Sequence, residues 1–388
     1  MKNRKLLMIP GPVEFTPEVL AAMGLPTTSH LAPNFVEVFG QALDRLKEVF
    51  LFPDGQPFIV AGSGTLAMEM AAANLIEPGD RALVLITGYF SDRYVAILER
   101  CGAQVTALQP PAIGDTPPLE AVEAALAQGD YKLMTITHVD TSTAVLSDVQ
   151  TLAELGRRYG ALVVVDGVCS VGGEELRPQE WGVDLVLTAS QKALGVPPGL
   201  AIVVAGPRAL EAFRKRKTPV PNYYADWTNW LPIMEAYQAR KGAYFGTPPV
   251  NLIWALNVSL GQILEEGLEA RFARHRRLSD AFKAGMAALG LAQIPVSPEK
   301  AAHTLTNLYY PEGVDARMLP HVRDAGVIVA TGRHPALGER YFRVGHMGAI
   351  TSADILVAVG AIEYGLRQMH YPFEPGAGLA AAQRVLLA

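Results

Sequence analysis

A chain of 388 residues, half of them apolar, can bury a large core and is long enough for one large domain and one smaller. Its formal net charge of −5, from 33 basic and 38 acidic residues, excludes a general basic field for nucleic acid or an anionic membrane, so small molecules and further copies of the chain are the expected partners. Two cysteines, Cys101 and Cys169, make no disulfide framework and no metal spacing, which fits a reducing cytoplasm. The opening MKNRKLLMIPGP holds too short an apolar run for a signal sequence, and no stretch reaches the roughly 20 apolar residues of a membrane span.

From about residue 57 to 217, short apolar runs alternate with stretches of helical period, which predicts repeated βα units on a parallel sheet. Strands are expected over 58–61, 82–87, 104–108, 132–137, 161–165, 185–188 and 201–205, and helices over 35–50, 66–76, 91–100, 119–127, 149–159 and 208–215. Asn34 with Glu37 and Ser147 with Gln150 have the spacing of N-terminal capping pairs. Residues 217–250, rich in Tyr, Trp, Pro and Asn without clean periodicity, predict an ordered aromatic loop region ahead of a long helix over 252–266. Beyond Gly267, helices over 269–289, 316–325 and 353–369 and strands over 303–310 and 341–344 predict an α+β unit, and the Ala-rich tail predicts a helical end. The expected architecture is α/β. Residues 1–266 form an N-terminal segment and a large domain with a mainly parallel seven-stranded sheet, and residues 267–388 form a smaller α+β domain.

Ligands of such sheets gather at the carboxyl ends of the strands. The run Ala161-Leu-Val-Val-Val-Asp166 ends in an acid there, and a bare buried carboxylate is costly unless a cation meets it. Alone, Asp166 could simply cap the next turn. After the next apolar run, however, Ala189-Ser-Gln-Lys192-Ala-Leu-Gly195 places a lysine at the same edge among small or apolar neighbours. A lysine after a strand is ordinarily a solvated charge, but a buried one loses its proton more readily and can attack an aldehyde.

Upstream, Gly62-Ser63-Gly64-Thr65 leads from the first strand into a helix and offers backbone N–H groups, two hydroxyls and the positive helix end to a phosphate. The string Gly62-x-Gly64-x-x-Ala67 also fits a dinucleotide fingerprint, which requires an acid ending the second strand. That strand ends Leu85-Ile86-Thr87-Gly88, and Glu77 and Asp80 precede it. Tyr89-Phe90 follows, placed either to stack on a flat cofactor or to serve as ordinary core.

Taken in this order, the Gly-Ser-Gly turn, the aromatic, the strand-end Asp and the Ser-Gln-Lys loop resemble fold-type I pyridoxal-phosphate (PLP) enzymes of the class V aminotransferase group. Within it the chain looks most like alanine–glyoxylate and serine–glyoxylate aminotransferases. The likeness runs from Pro10-Gly11-Pro12 and Ser29-His30, through Thr137-His138 to Thr143, Asp166 to Ser170 and Ser190 to Pro198, to Thr247-Pro248-Pro249-Val250 and Arg343-Val344-Gly345. It implies that Lys192 holds PLP as a Schiff base, Asp166 pairs with the ring nitrogen, Phe90 stacks on the ring and Ser142 neighbours the ring hydroxyl. Ser63, Gly64 and Thr65 would cradle the phosphate with Gln191 beside them, and Ser170 would lie near the cofactor. Tyr244 and Thr247 would reach the phosphate of the neighbouring subunit in a homodimer with shared sites. Arg343 matches the arginine that forks onto the substrate's α-carboxylate, with Gly11 also on the substrate side. Phe90 stands where some relatives have Trp, and Leu31 stands where an Arg is common.

The resemblance implies transfer of an amino group from alanine or serine to glyoxylate, giving glycine and a 2-oxo acid. Asp166 would keep the ring nitrogen protonated while Lys192 moves the proton between Cα and C4′. The group also holds transaminases of ureidoglycine, phosphonate and phosphoserine substrates, and cysteine desulfurases. The last need a thiol in a mobile loop, which neither Cys101 at an expected helix end nor Cys169 beside Asp166 supplies. A PLP-binding metabolite sensor would need an effector module, and no helix-turn-helix segment or spare length is seen for one.

Overall fold

A computed structural model describes residues 5–388. The main sheet contains β1 (Gln56–Ala61), β2 (Arg81–Leu85), β3 (Gln104–Leu108), β4 (Tyr131–Thr137), β5 (Leu162–Asp166), β6 (Leu185–Ala189) and β7 (Leu200–Ala205). Their order across the sheet is β1-β7-β6-β5-β4-β2-β3, and β7 alone runs opposite to the rest. Each strand lies within two residues of its expected bounds, because Val-, Leu- and Ile-rich runs covered on both faces leave little choice of structure. Every residue of β5, β6 and β7 is buried.

The six expected helices around this sheet form over Pro33–Val49, Gly64–Leu75, Tyr89–Arg100, Leu119–Ala127, Val149–Arg158 and Pro207–Arg214. Both expected caps move. Pro33, whose φ is already helical, opens its helix and leaves Asn34 inside the first turn. Asp148 rather than Ser147 caps the Val149 helix by accepting from Thr151 N at 3.1 Å, while the Ser147 hydroxyl donates to Thr137 O at 2.8 Å. The aromatic region holds a helix, Trp227–Gln238, capped by Asp226 and interrupted in sequence pattern by Pro232. Its Trp227 is fully buried and stacks on Phe58 at 5.0 Å between ring centroids.

Gly267, at φ +80, separates the Val250–Glu266 helix from the Leu268–Ala288 helix, and a second core begins there. It packs Leu278, Phe282, Met318, Ile355 and Ile362 against an antiparallel sheet of β8 (Leu305–Tyr309), β9 (Ala330–Thr331) and β10 (Tyr341–Gly345), in the order β8-β10-β9. The start of the chain departs from the expected division. Leu6–Leu7 pairs in parallel with Val327–Ile328, and Met8 is buried in the second core, so these residues join the smaller unit. Among the described residues no helix is long and apolar enough to cross a membrane.

Candidate active site

The sheet brings Asp166 and Lys192 to one edge. Asp166 ends β5 beside Leu187 of the parallel β6, and Lys192 follows the end of β6 by three residues. They share a cavity of about 140 Å³ with Ser63, Gly64, Thr65, Phe90 and Gln191, all expected from the sequence. Met68, Arg93, Val139, Thr141 and Val168 complete its wall.

Burial pushes the Asp166 carboxyl up to about 6, and the buried Asp140 nearby adds to the rise. The Val168 N–H, bonded to it at 2.9 Å, and the charges of Lys192 and Arg93 pull the other way. A cation reaching this carboxylate from the cavity would relieve its isolation. Lys192 Nζ donates to Pro10 O. Gly11, at φ +115, runs so close that a Cβ there would lie 2.5 Å from Lys192 Cδ and 2.7 Å from Nζ. Its place is thus against the lysine.

Ser63 stands in extended conformation at the start of the Gly64–Leu75 helix, and no side chain caps the N–H groups of the first turn. Gly64 lies in close packing, where a Cβ would meet Val168 Cγ2 at 2.9 Å. Arg93 donates to Thr65 Oγ1 at 2.8 Å, and its guanidinium sits 4.9 Å from the Phe90 ring centroid. Arg93 is not among the residues expected from the sequence, although Phe90-x-x-Arg93 puts both side chains on one helix face. Gln191 Oε1, in the cavity wall, is buried without a hydrogen-bond partner and leaves a polar atom for a ligand to satisfy, whereas Ser170, whose Oγ is likewise unpartnered, is buried outside that wall.

Ser142 does not line this cavity. Its hydroxyl donates to Asp140 Oδ1 at 2.6 Å and accepts from Tyr89 N at 2.9 Å, so it lies behind the wall while Thr141 lines the cavity. Asp140 also accepts from Phe90 N at 3.2 Å, which fixes the turn carrying the Phe90 ring.

Arg343 of β10 is 8% exposed and donates from Nε to Thr331 O at 2.8 Å. It has no acidic partner among the described residues. Burial lowers its pKa from the usual arginine value. It stands outside the wall of the 140 Å³ cavity, on a strand tied to it by Tyr341, whose hydroxyl donates to Ser142 O at 2.6 Å and accepts from Arg333 N and His334 N at 2.7 Å each. Tyr244 and Thr247 are exposed and do not reach the cavity of their own chain; the Tyr244 ring packs 5.3 Å from that of His30.

A strand-end acid and a loop lysine at the carboxyl edge of this sheet define a fold-type I PLP transferase, the fold shared with the solved aminotransferases it matches. The family model for aminotransferase class-V matches residues 18–353, and the chain belongs to that family as a PLP-dependent transaminase. It is 42% identical to alanine–glyoxylate aminotransferase 1 of Saccharomyces cerevisiae, over 89% of this chain and 93% of that one. To L-aspartate–glyoxylate aminotransferase of Paracoccus denitrificans it is 35% identical, over 99% and 96%. The crystal structure of ureidoglycine–glyoxylate aminotransferase from Bacillus subtilis superposes with a TM-score of 0.91 at 28% identity, over 100% of this chain and 99% of that one. The residues present fit PLP: an uncapped helix start for a phosphate, an orphaned polar atom at Gln191, and a buried acid sharing the cavity with a lysine.

Proposed function

We propose that the enzyme moves the amino group of alanine or serine to glyoxylate, giving glycine and pyruvate or hydroxypyruvate. The observation that carries this reading is Arg343, a buried guanidinium without an acidic partner among the described residues. A buried cation is costly until an anion meets it, and the α-carboxylate common to amino acid and oxo acid is such an anion. Glyoxylate as acceptor is supported by the names of the yeast and Paracoccus relatives. The same names differ in their donor, as does that of the Bacillus structure.

PLP, when bound, supplies the electron sink that lets an amino acid lose its Cα proton. Ser63, Gly64 and Thr65 would hold its phosphate, Phe90 its ring face, and Asp166 its ring nitrogen. Gln191 and Ser170 would satisfy further polar atoms. Thr141, which lines the cavity, would stand beside the ring in place of Ser142. Lys192 would anchor the group covalently, and its Nζ, once free, would take and return the substrate proton. Arg343 orients the carboxylate. Tyr244 and Thr247 would complete the partner's site in a homodimer. A large domain ending at Glu266 and a smaller one over 267–388, with Leu6–Met8 joined to the smaller, belong to the same reading, as does a cytoplasmic location, which suits two unpaired cysteines.

An assay grid of amino donors (alanine, serine, aspartate, ureidoglycine) against glyoxylate and pyruvate tests the proposal. Highest kcat/KM for alanine or serine with glyoxylate is expected, and a preference for another donor or for pyruvate would overturn it.

A further inference from the structure

The loops that leave the sheet at Asp166 and at Lys192 are gripped by one side chain from the smaller unit. Arg271, buried in the first turns of the Leu268–Ala288 helix, donates from Nε to Gly172 O at 2.6 Å and from Nη2 to Ala193 O at 2.7 Å. Its remaining nitrogen, Nη1, pairs with Glu266 at 2.7 Å. Ala193 directly follows Lys192, and Gly172 lies six residues beyond Asp166. The loops also pack on each other, since a Cβ at Gly173 would stand 3.1 Å from Ala193 Cβ. Burial lowers the Arg271 pKa to about 10 against the pull of Glu266, which leaves it cationic at neutral pH. Glu266 is also bound by Arg274 at 2.6 Å, so it keeps a counter-ion when Arg271 is replaced.

We propose that Arg271 is a positioning residue for Lys192, clamping the main chain beside the lysine so that Nζ moves protons from a fixed base. Three donors in one rigid plane fix three points at once: two carbonyl oxygens on separate loops and a carboxylate. Lys192 Nζ must leave Pro10 O to work, and the carbonyl next to it is held from behind. Proton transfer falls steeply with misplacement, on the order of 100-fold for about 1 Å. The inference rests on the lysine-driven transamination described above, and not on which amino acid is the donor.

The test compares holoenzymes carrying Arg271→Met, Arg271→Lys and, as a control for lost stability alone, Leu366→Ala in the second core. The first readout is amide hydrogen exchange at Gly195 and Val196, whose N–H groups bond Lys192 O at 2.8 Å and Ser190 O at 3.0 Å. Exchange there should quicken at least about tenfold in Arg271→Met, less in Arg271→Lys, and not selectively in Leu366→Ala. The second readout is turnover with protiated and Cα-deuterated donor. Arg271→Met should lower kcat about 10- to 100-fold with a larger isotope effect and little change in KM, Arg271→Lys should recover part of it, and Leu366→Ala should change neither. Wild-type exchange at Gly195 and Val196, or an isotope effect and kcat equal to those of Leu366→Ala, would overturn the clamp. Absent wild-type turnover of alanine and serine would overturn the donor reading, while the exchange measurement would still decide the clamp.

Discussion

Asp166 pairs with Leu187 across two parallel strands, five residues before Lys192, so the sheet fixes the acid and the loop leaving the neighbouring strand brings the lysine into the same cavity. The cost of that placement falls on Asp166. Its carboxyl ionises near the ordinary aspartate value of 3.8 in an unfolded chain and at about 6 in the folded cofactor-free protein, mainly through burial. This group therefore penalises folding as pH rises from about 4 to 6, and in full above 6. Asp166→Asn should make the cofactor-free protein more stable at pH 8 by roughly 2 to 3 kcal/mol and change little at pH 4. The same substitution should lower kcat of the loaded enzyme by on the order of 100-fold. Denaturant melts at the two pH values check the first part; an Asn variant less stable than wild type at pH 8 would refute the buried-charge account.

Gly11 presses on the lysine from the other side. Alanine there would need a φ of +115 and would drive its Cβ to within 2.5 Å of Lys192 Cδ. Gly11→Ala should cost about 1 to 3 kcal/mol of stability and lower kcat at least tenfold by displacing Nζ. Lys192→Ala sets the floor, with a loss of about 1000-fold or more and no cofactor fixed to the protein by borohydride. Wild-type turnover in Gly11→Ala would mean that the close approach has no part in the working enzyme.

Much of this site was legible because its residues sit at the ends of buried apolar runs, where strand position alone fixes the edge. Asp166 and Lys192 are of this kind. The hydroxyl that lines the cavity was not, since Thr141-Ser142-Thr143 offers three consecutive candidates. The choice depends on a turn in which Asp140 takes Ser142 inward and Ala144 adopts φ +60. Arg93 and Arg271 were passed over because a charge on a helix is ordinarily solvated, and only tertiary packing shows what each one grips. The Trp227–Gln238 helix was hidden by an interior proline and by aromatics on more than one face. Pairing of Leu6–Leu7 with Val327–Ile328 joins segments far apart in the chain through two-residue strands, too short to carry any periodicity.

Arg343 should serve both half-reactions. Arg343→Lys keeps a positive charge but loses the planar fork, so KM should rise about 10- to 100-fold for the amino acid and for the oxo acid alike. Initial-rate kinetics with each substrate varied in turn checks this. A rise confined to one substrate would mean that the carboxylates are held elsewhere.

The remaining groups assigned to the phosphate stand outside the cavity of their own chain. Tyr244 is 63% exposed and Thr247 is exposed beside it, with Leu31, Tyr223 and Tyr224 also presenting apolar surface. If the Tyr244 and Thr247 side chains merely packed within their own subunit, burial would be expected instead. A two-fold interface would cover these rings and bring two hydroxyls to a phosphate held by Ser63 and Thr65 of the other chain, so dimerisation and PLP binding should reinforce each other. Mixing an inactive Lys192→Ala chain with an inactive Tyr244→Ala/Thr247→Ala chain then has a definite outcome. In each mixed dimer one site carries both lesions and the other carries neither, and random exchange makes half of the dimers mixed. Activity should therefore return to about one quarter of the wild-type value per site. Verified exchange without recovery would place Tyr244 and Thr247 in the service of their own subunit and leave each site complete within one chain.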